Sequence, residues 1–421
     1  MSVRLAAAVF ALILTAVVVH GQRRDVFIAS RNHAAIRYTS APTSDAVAEL
    51  NTRLRAGTAT LQFDPQSGYL SSLLKVLNVP VDSQTLVFSQ SSLQGPRINL
   101  HNPRAVYFND TVSVGWVRGG DLLEVAVQDR EQGALFYSLP QKKAEQPQLA
   151  RDEQCLACHL SWETLGVPGL TIQSMYPLKD DKSYANGFTT VHGSPLEQRW
   201  GGWWVTGDTG GARHMGNVPV MPVDKKLAIA NPLKPLPTID GLFDTSGYPS
   251  LHSDVVALLV LEHQAHMTNL LTRIGWEARV AAAERTADAA ARVKEAAVDV
   301  VDYLLFVDEA DFTGLVKGSS RFTETFATRG PKDTQGRSLR DFNLRTRLFK
   351  HPCSYMIYTP AFDALLPAAK DAIYERMWSV LSGRQAAPKY KRLSRADRLA
   401  VTQILRDTKP GLPASFNGVI Q

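Results

Sequence analysis

Val112-Ser113-Val114-Gly115-Trp116-Val117-Arg118-Gly119-Gly120-Asp121-Leu122-Leu123-Glu124-Val125-Ala126-Val127 decides the fold class. Apolar residues alternate with small or polar ones on both sides of a Gly-Gly-Asp break, the pattern of two half-buried strands joined by a turn. Working outward, Thr85–Phe88, Ala105–Phe108 and Ala134–Tyr137 carry similar β-branched and aromatic runs. Asn109-Asp110 and Gln132-Gly133 punctuate them. The span therefore predicts a small, mostly antiparallel sheet.

On either side the period becomes helical. Thr43–Ala56, with Ser44 or Asp45 as N-cap, and Tyr69–Leu77 predict short helices before the sheet. Val255–Ala283, Ala287–Leu305, Ala361–Leu381 and Ser394–Thr408 predict a helical C-terminal half, the last opening with a capping-box pattern, Ser394 to Asp397. The fold class expected is α+β, helix-rich. It has a small antiparallel sheet in the N-terminal third, an irregular segment in the middle and helices after it. The expected division is 1–21, 22–140, 141–250 and 251–421. A chain of 421 residues can bury ample apolar area without disulfides.

The middle segment carries the chemistry, on a short helix expected over Leu149–Trp162. Cys155-Leu156-Ala157-Cys158-His159 places two thiols three positions apart, followed at once by an imidazole. On one helical turn both sulfurs lie on one face and can reach the two vinyl groups of one porphyrin, with His159 under the ring as proximal iron ligand. The spacing reads as covalent attachment of a c-type haem. Two other readings compete. A redox dithiol wants a βαβ context in a reducing compartment, and half a zinc site wants two more ligands, whereas the only other thiol is Cys353. Cys353 reads as a buried small hydrophobe. The motif occurs once, so one haem c is expected and multihaem arrangements are not.

At this motif the chain resembles c-type cytochromes, over little more than residues 150–220. The resemblance implies attachment of haem outside the cytoplasmic membrane. The N-terminus agrees with that. Arg4 is followed by an apolar run from Leu5 to Val19 and then Val19-His20-Gly21, the pattern of a signal peptide cut near Gly21/Gln22. An uncleaved anchor is the alternative. The expected location is periplasmic or otherwise exported, with loose association with the membrane surface compatible with the sequence.

For the iron's other face the candidates are His214 and Met215 first, then His192, Met175 and Met221. Trp200, Trp203 and Trp204 among glycines would give flat walls, and Arg199 and Arg213 would pair with haem propionates. Glu262, His263 and His266 lie at helical spacing and could hold a metal or a second haem, against the plainer reading of histidines bonded within a core. Asp308-Glu309-Ala310-Asp311 reads as a helix end, with calcium as the outside alternative.

The net charge of +6 is modest, and nothing in the sequence suggests nucleic-acid binding. The basic groups at Lys389–Arg392 and Arg337–Lys350 read as a solvated face, or as a docking face for an acidic redox partner protein. The function expected is electron transfer by an exported monohaem c-type cytochrome, with an unidentified redox partner. The alternatives are a haem enzyme or a gas or peroxide sensor with an open sixth iron position, and a structural or interaction subunit whose haem is not redox-active.

Overall fold

The computed structural model describes residues 31–175, 187–217 and 235–421. The signal-peptide reading and Met221 lie outside these residues. Among them the chain is α+β, with the sheet in the N-terminal half and the long helices after it.

Seven strands form the sheet: β1 (Thr85–Val87), β2 (Arg104–Phe108), β3 (Val112–Trp116), β4 (Leu122–Asp129), β5 (Gly133–Pro140), β6 (Ala150–Arg151) and β9 (Trp203–Trp204). Their order is β6-β5-β4-β3-β2-β1-β9, antiparallel throughout. The alternation read from the sequence sets the two faces. Leu123, Val125 and Val127 of β4 are buried in one core with Val47 and Leu50 of α1 (Ala46–Arg55) and Leu70, Leu73 and Leu74 of α2 (Leu70–Val76). Asp45 caps α1, accepting from Val47 N and Ala48 N. The opposite face, with Glu124 and Ala126, is only partly covered.

The cover comes from α4 (Val255–Glu284), a 30-residue helix that is buried on nearly every side along its first half. Asp254 caps it, its carboxylate accepting from Val256 N and Ala257 N. Helix α5 (Ala287–Leu304) packs beside it, and α8 (Pro367–Leu381) packs on α5. The second core runs from Val87 and Phe108 of the sheet through Trp203 into these helices, so buried packing crosses the boundaries expected near residues 140 and 250.

Two local expectations are corrected. The motif does not ride on a helix from Leu149 to Trp162. Ala150–Arg151 pairs with β5 as β6, a single 3-10 turn spans Glu153–Cys155, and the helix α3 is only Leu156–His159. Pairing with Tyr137 and Ser138 holds the chain extended until Asp152 caps the turn at Gln154 N. The expected Ala361–Leu381 helix is also broken, into α7 (Pro360–Asp363) and α8, because Pro367 disfavours helical backbone at Leu366. Arg395–Thr408 forms α9 with the capping box from Ser394 to Asp397 as read. A hairpin of β7 (Ile172–Met175) and β8 (Gly187–Thr190) lies in the segment expected to be irregular.

Candidate functional site

Between the partly covered sheet face and α4 lies a cleft with about 1360 Å³ of empty space, solvent at its mouth included. One wall is the motif itself: Cys155, Ala157, Cys158 and His159. The floor is the sheet, with Arg104 and Val106 of β2, Ser113 and Gly115 of β3, Glu124 and Ala126 of β4 and Phe136 of β5. Ile172, Gln173 and Trp203 close another side, and Leu261 and Ala265 of α4 form the back. Register explains the flat floor. Ala126 stands between Phe136 and Ser113 across three strands, and Gly115 stands between Glu124 and Val106. Ser113 and Ala126 put small side chains in the trough, while the Arg104 guanidinium lies over Gly115 on its way to Glu124.

His159 is oriented by its own surroundings. Its Nδ1 lies 2.9 Å from the Gly169 carbonyl oxygen. A carbonyl accepts only, so Nδ1 carries the proton and Nε2 keeps its lone pair. Nε2 has no hydrogen-bond partner among the described residues. Phe136 packs against the ring at 4.7 Å. Burial holds the imidazole below the usual histidine range, with the Gly169 contact opposing it, so the neutral form is favoured. The Gly169–Leu170 segment is itself pinned. Asn269 of α4 accepts from Leu170 N at 2.8 Å and donates to Leu170 O at 2.7 Å. This is the arrangement of a metal-ligating histidine: one nitrogen fixed on a backbone carbonyl, the other presented.

Both cysteines are free thiols, Cys158 exposed and Cys155 half-buried. Burial, with Asp152 and Glu124 nearby, pushes the Cys155 thiol up to about 12. Cys155 is thus unlike the low-pKa thiol of a redox dithiol. Among the described residues no three or more His, Cys, Asp or Glu side chains are grouped so as to hold a metal ion.

The other sequence candidates are not brought to the cleft. Arg199 is fully buried; its guanidinium meets Glu262 at 2.9 Å and donates to the carbonyls of His192 and Ser194. Those contacts occupy it, so a propionate role is corrected to a structural ion pair. Arg213 is exposed and does not line the cleft. His214 is buried against Trp200 at 5.4 Å, with no hydrogen-bond partner for Nδ1 among the described residues and its basicity lowered to about 4 by burial. Met215 is buried beside Ser174, and Met175 is buried beneath Gly201. Of the three tryptophans only Trp203 faces the cleft, because successive residues of β9 point to opposite faces. Trp204 packs on Phe88 instead.

The histidine pair of α4 parts company. His263 Nδ1 lies 3.0 Å from His192 Nδ1 and its Nε2 lies 2.7 Å from Ser354 Oγ, with Tyr303 stacked on both rings. His266 rests against Tyr303. The plainer core reading holds for these residues. Glu309 is buried and accepts from Leu348 N, and burial pushes its carboxyl up to about 7. Asp311 pairs with Arg392, so the acidic group is split between core and surface. The basic groups are largely paired as well, Lys389 with Asp302, Arg347 with Asp397 and Arg337 with Asp333.

Sequence reading missed the floor. Arg104 and Glu124, charged residues inside strands on the face opposite the buried one, were the signal that could have found it. No family model, curated protein or solved structure matches this chain. Among the described residues no helix is long and apolar enough to cross a membrane.

Proposed function

We propose that this chain is an exported c-type haem protein that holds one covalent haem in the cleft and uses it for electron transfer. The observation that carries the reading is His159. It stands on the turn that bears both thiols, with Nδ1 committed to the Gly169 carbonyl and Nε2 without a hydrogen-bond partner among the described residues, in the cleft that the motif lines.

The residues present fit the group. Cys155 and Cys158 would hold it as thioethers, each sulfur adding to one vinyl carbon while the thiol hydrogen goes to the other. His159 Nε2 would bind the iron, Gly169 and Asn269 would set its direction, and the small side chains of Ser113 and Ala126 would face the group. When bound, such a group supplies a one-electron iron couple. Cys158, Ala157 and the half-exposed Leu93 stand at the mouth, which would bring the attached edge near the surface where a redox partner protein could reach it. Export is supported by the sequence of residues 1–21.

A second reading is favoured by one specific observation. Among the described residues, those lining the cleft include no second histidine and no methionine. That is the lining of a ligand-binding haem, an enzyme or a gas or peroxide sensor, with an open sixth position. Carbon monoxide separates the two. Reduced protein whose spectrum is unmoved by carbon monoxide supports electron transfer; a prompt, saturable shift supports the second reading.

A further inference from the structure

The mouth of the cleft differs in charge from the chain as a whole. Its exposed lining is Leu93, Gln154, Ala157 and Cys158. Glu153, also exposed, precedes Gln154. Gln173, another lining residue, donates to Glu163 Oε2 at 3.1 Å and so places that exposed carboxylate at the rim. Between Arg151 and Lys179 the chain has three acidic residues, Asp152, Glu153 and Glu163, and no Lys or Arg. Asp152 accepts from Gln154 N and Glu163 from the Gln173 amide, neither of them a cation. The cations nearby are spent. Arg104, the one Lys or Arg in the lining among the described residues, meets Glu124 at 2.6 Å, and Arg97 meets Asp121 at 2.8 Å. Arg151 turns inward, donating to Tyr38 O and lying over the Tyr38 ring at 4.8 Å. Large apolar side chains also meet water here: Leu93 is 52 % exposed and Trp162, next to Glu163, is 57 % exposed.

We propose that this rim is the docking surface of the protein, and that its partner is a redox protein with a basic face, lysines or arginines set around an apolar contact. The inference rests on the haem reading for its purpose, since the rim surrounds the edge that Cys158 would attach. It reverses the sign expected from the whole chain, whose net charge is +6. Range decides between the two. Near 0.1 M salt, charges are screened over about 10 Å, so groups at the mouth outweigh those on distant faces. The carboxylates there raise the encounter rate of a cationic face, and Leu93 and Trp162 give it apolar area to bury on arrival. The basic groups that the sequence offered as a docking face are paired within the molecule, Lys389 with Asp302 and Arg347 with Asp397.

The test uses the full chain matured in a host that attaches haem, as wild type, Glu153→Gln/Glu163→Gln, Glu153→Lys/Glu163→Lys, Trp162→Ala and Lys389→Gln/Lys391→Gln. The reduced protein is mixed with hexaammineruthenium(III), a cation, or with ferricyanide, an anion. Each takes one electron from it, and the rate is followed as salt is raised. Wild type should react more slowly with the cation as salt rises to about 0.2 M, by up to about tenfold, and faster with the anion. The two Gln substitutions should flatten both slopes, the two Lys substitutions at the same sites should invert them, and Lys389→Gln/Lys391→Gln should leave them in place. Fluorescent oligolysine gives a readout that needs no haem. Its anisotropy should report binding to wild type that weakens about fivefold in Glu153→Gln/Glu163→Gln. A lysine–leucine peptide of equal charge should bind more tightly than oligolysine, an advantage that Trp162→Ala removes. Haem-stained wild type that reacts faster with the cation as salt rises, or oligolysine binding untouched by the glutamate variants, overturns the proposal. Wild type without covalent haem overturns the haem reading instead, and oligolysine then decides the docking surface alone.

Discussion

Replacing Arg199 by Met should cost this fold about 3–5 kcal/mol, because it strands a buried carboxylate. Both partners of the Arg199–Glu262 pair are almost wholly out of water, at 2 % and 0 % side-chain exposure, and Glu262 also accepts from Thr190 Oγ1, at 2.7 Å, with the Trp200 indole beside it. Arg199 also ties down the carbonyls of His192 and Ser194, so its loss frees the turn before β9. Burial already raises the Glu262 carboxyl above its ordinary 4.5, and Arg199 is the chief opposing influence. Without the arginine the folded-state value climbs further. The native state then binds a proton that the unfolded state has released, so stability falls as pH rises above about 4.5 until the raised folded value is passed. Urea unfolding of Arg199→Met at a series of pH values should show a deficit that deepens with pH through that window. Arg199→Met/Glu262→Leu should recover most of it, since the uncompensated charge is gone. A single variant that loses less than about 1 kcal/mol at neutral pH, or a double variant no better than the single, would refute the reasoning. Covalent haem should persist in the folded fraction of both, because Arg199 does not line the cleft.

Gly169→Ala should move His159. A Cβ there runs into Asn269 Oδ1, which also holds Leu170, so the carbonyl that fixes Nδ1 must shift. A stability loss of about 1–3 kcal/mol is expected, with a changed haem potential in the folded protein, read by denaturation and redox titration. His214→Ala should leave the haem spectrum in place and cost stability alone, as expected for a histidine packed on Trp200; a change of spin state in that variant would return His214 to the iron. Asp254→Ala should lose about 2 kcal/mol on thermal or chemical unfolding, since its carboxylate caps α4 and also accepts from Ser319 N and Ser320 N.

What could be read from the sequence was whatever repeats locally. The alternation in Val112–Val127 and the apolar runs around it gave the strands and their facing. The N-caps at Asp45 and Ser394 were legible because capping is settled within four residues. The motif at Cys155–His159 was legible for the same reason. The remaining site residues were not, because pairing across the chain decided them. Arg199 is adjacent to a Trp/Gly stretch that suggested a haem wall, but it is spent on Glu262, 63 residues away. Arg104 and Glu124 join the site only through strand register, and nothing local marks them as partners. The helix expected over Leu149–Trp162 failed on a long-range term as well, the pairing of Ala150–Arg151 with β5.

The central claim is that Cys155 and Cys158 bind one haem covalently in the cleft beside His159. Haem staining of denatured full-length chain, matured in an exporting host and run beside Cys155→Ala, Cys158→Ala and the double variant, tests it most directly. The account predicts a stained wild-type band, weaker staining in each single variant and none in the double. An unstained wild-type band, or staining that survives in the double variant, would contradict it.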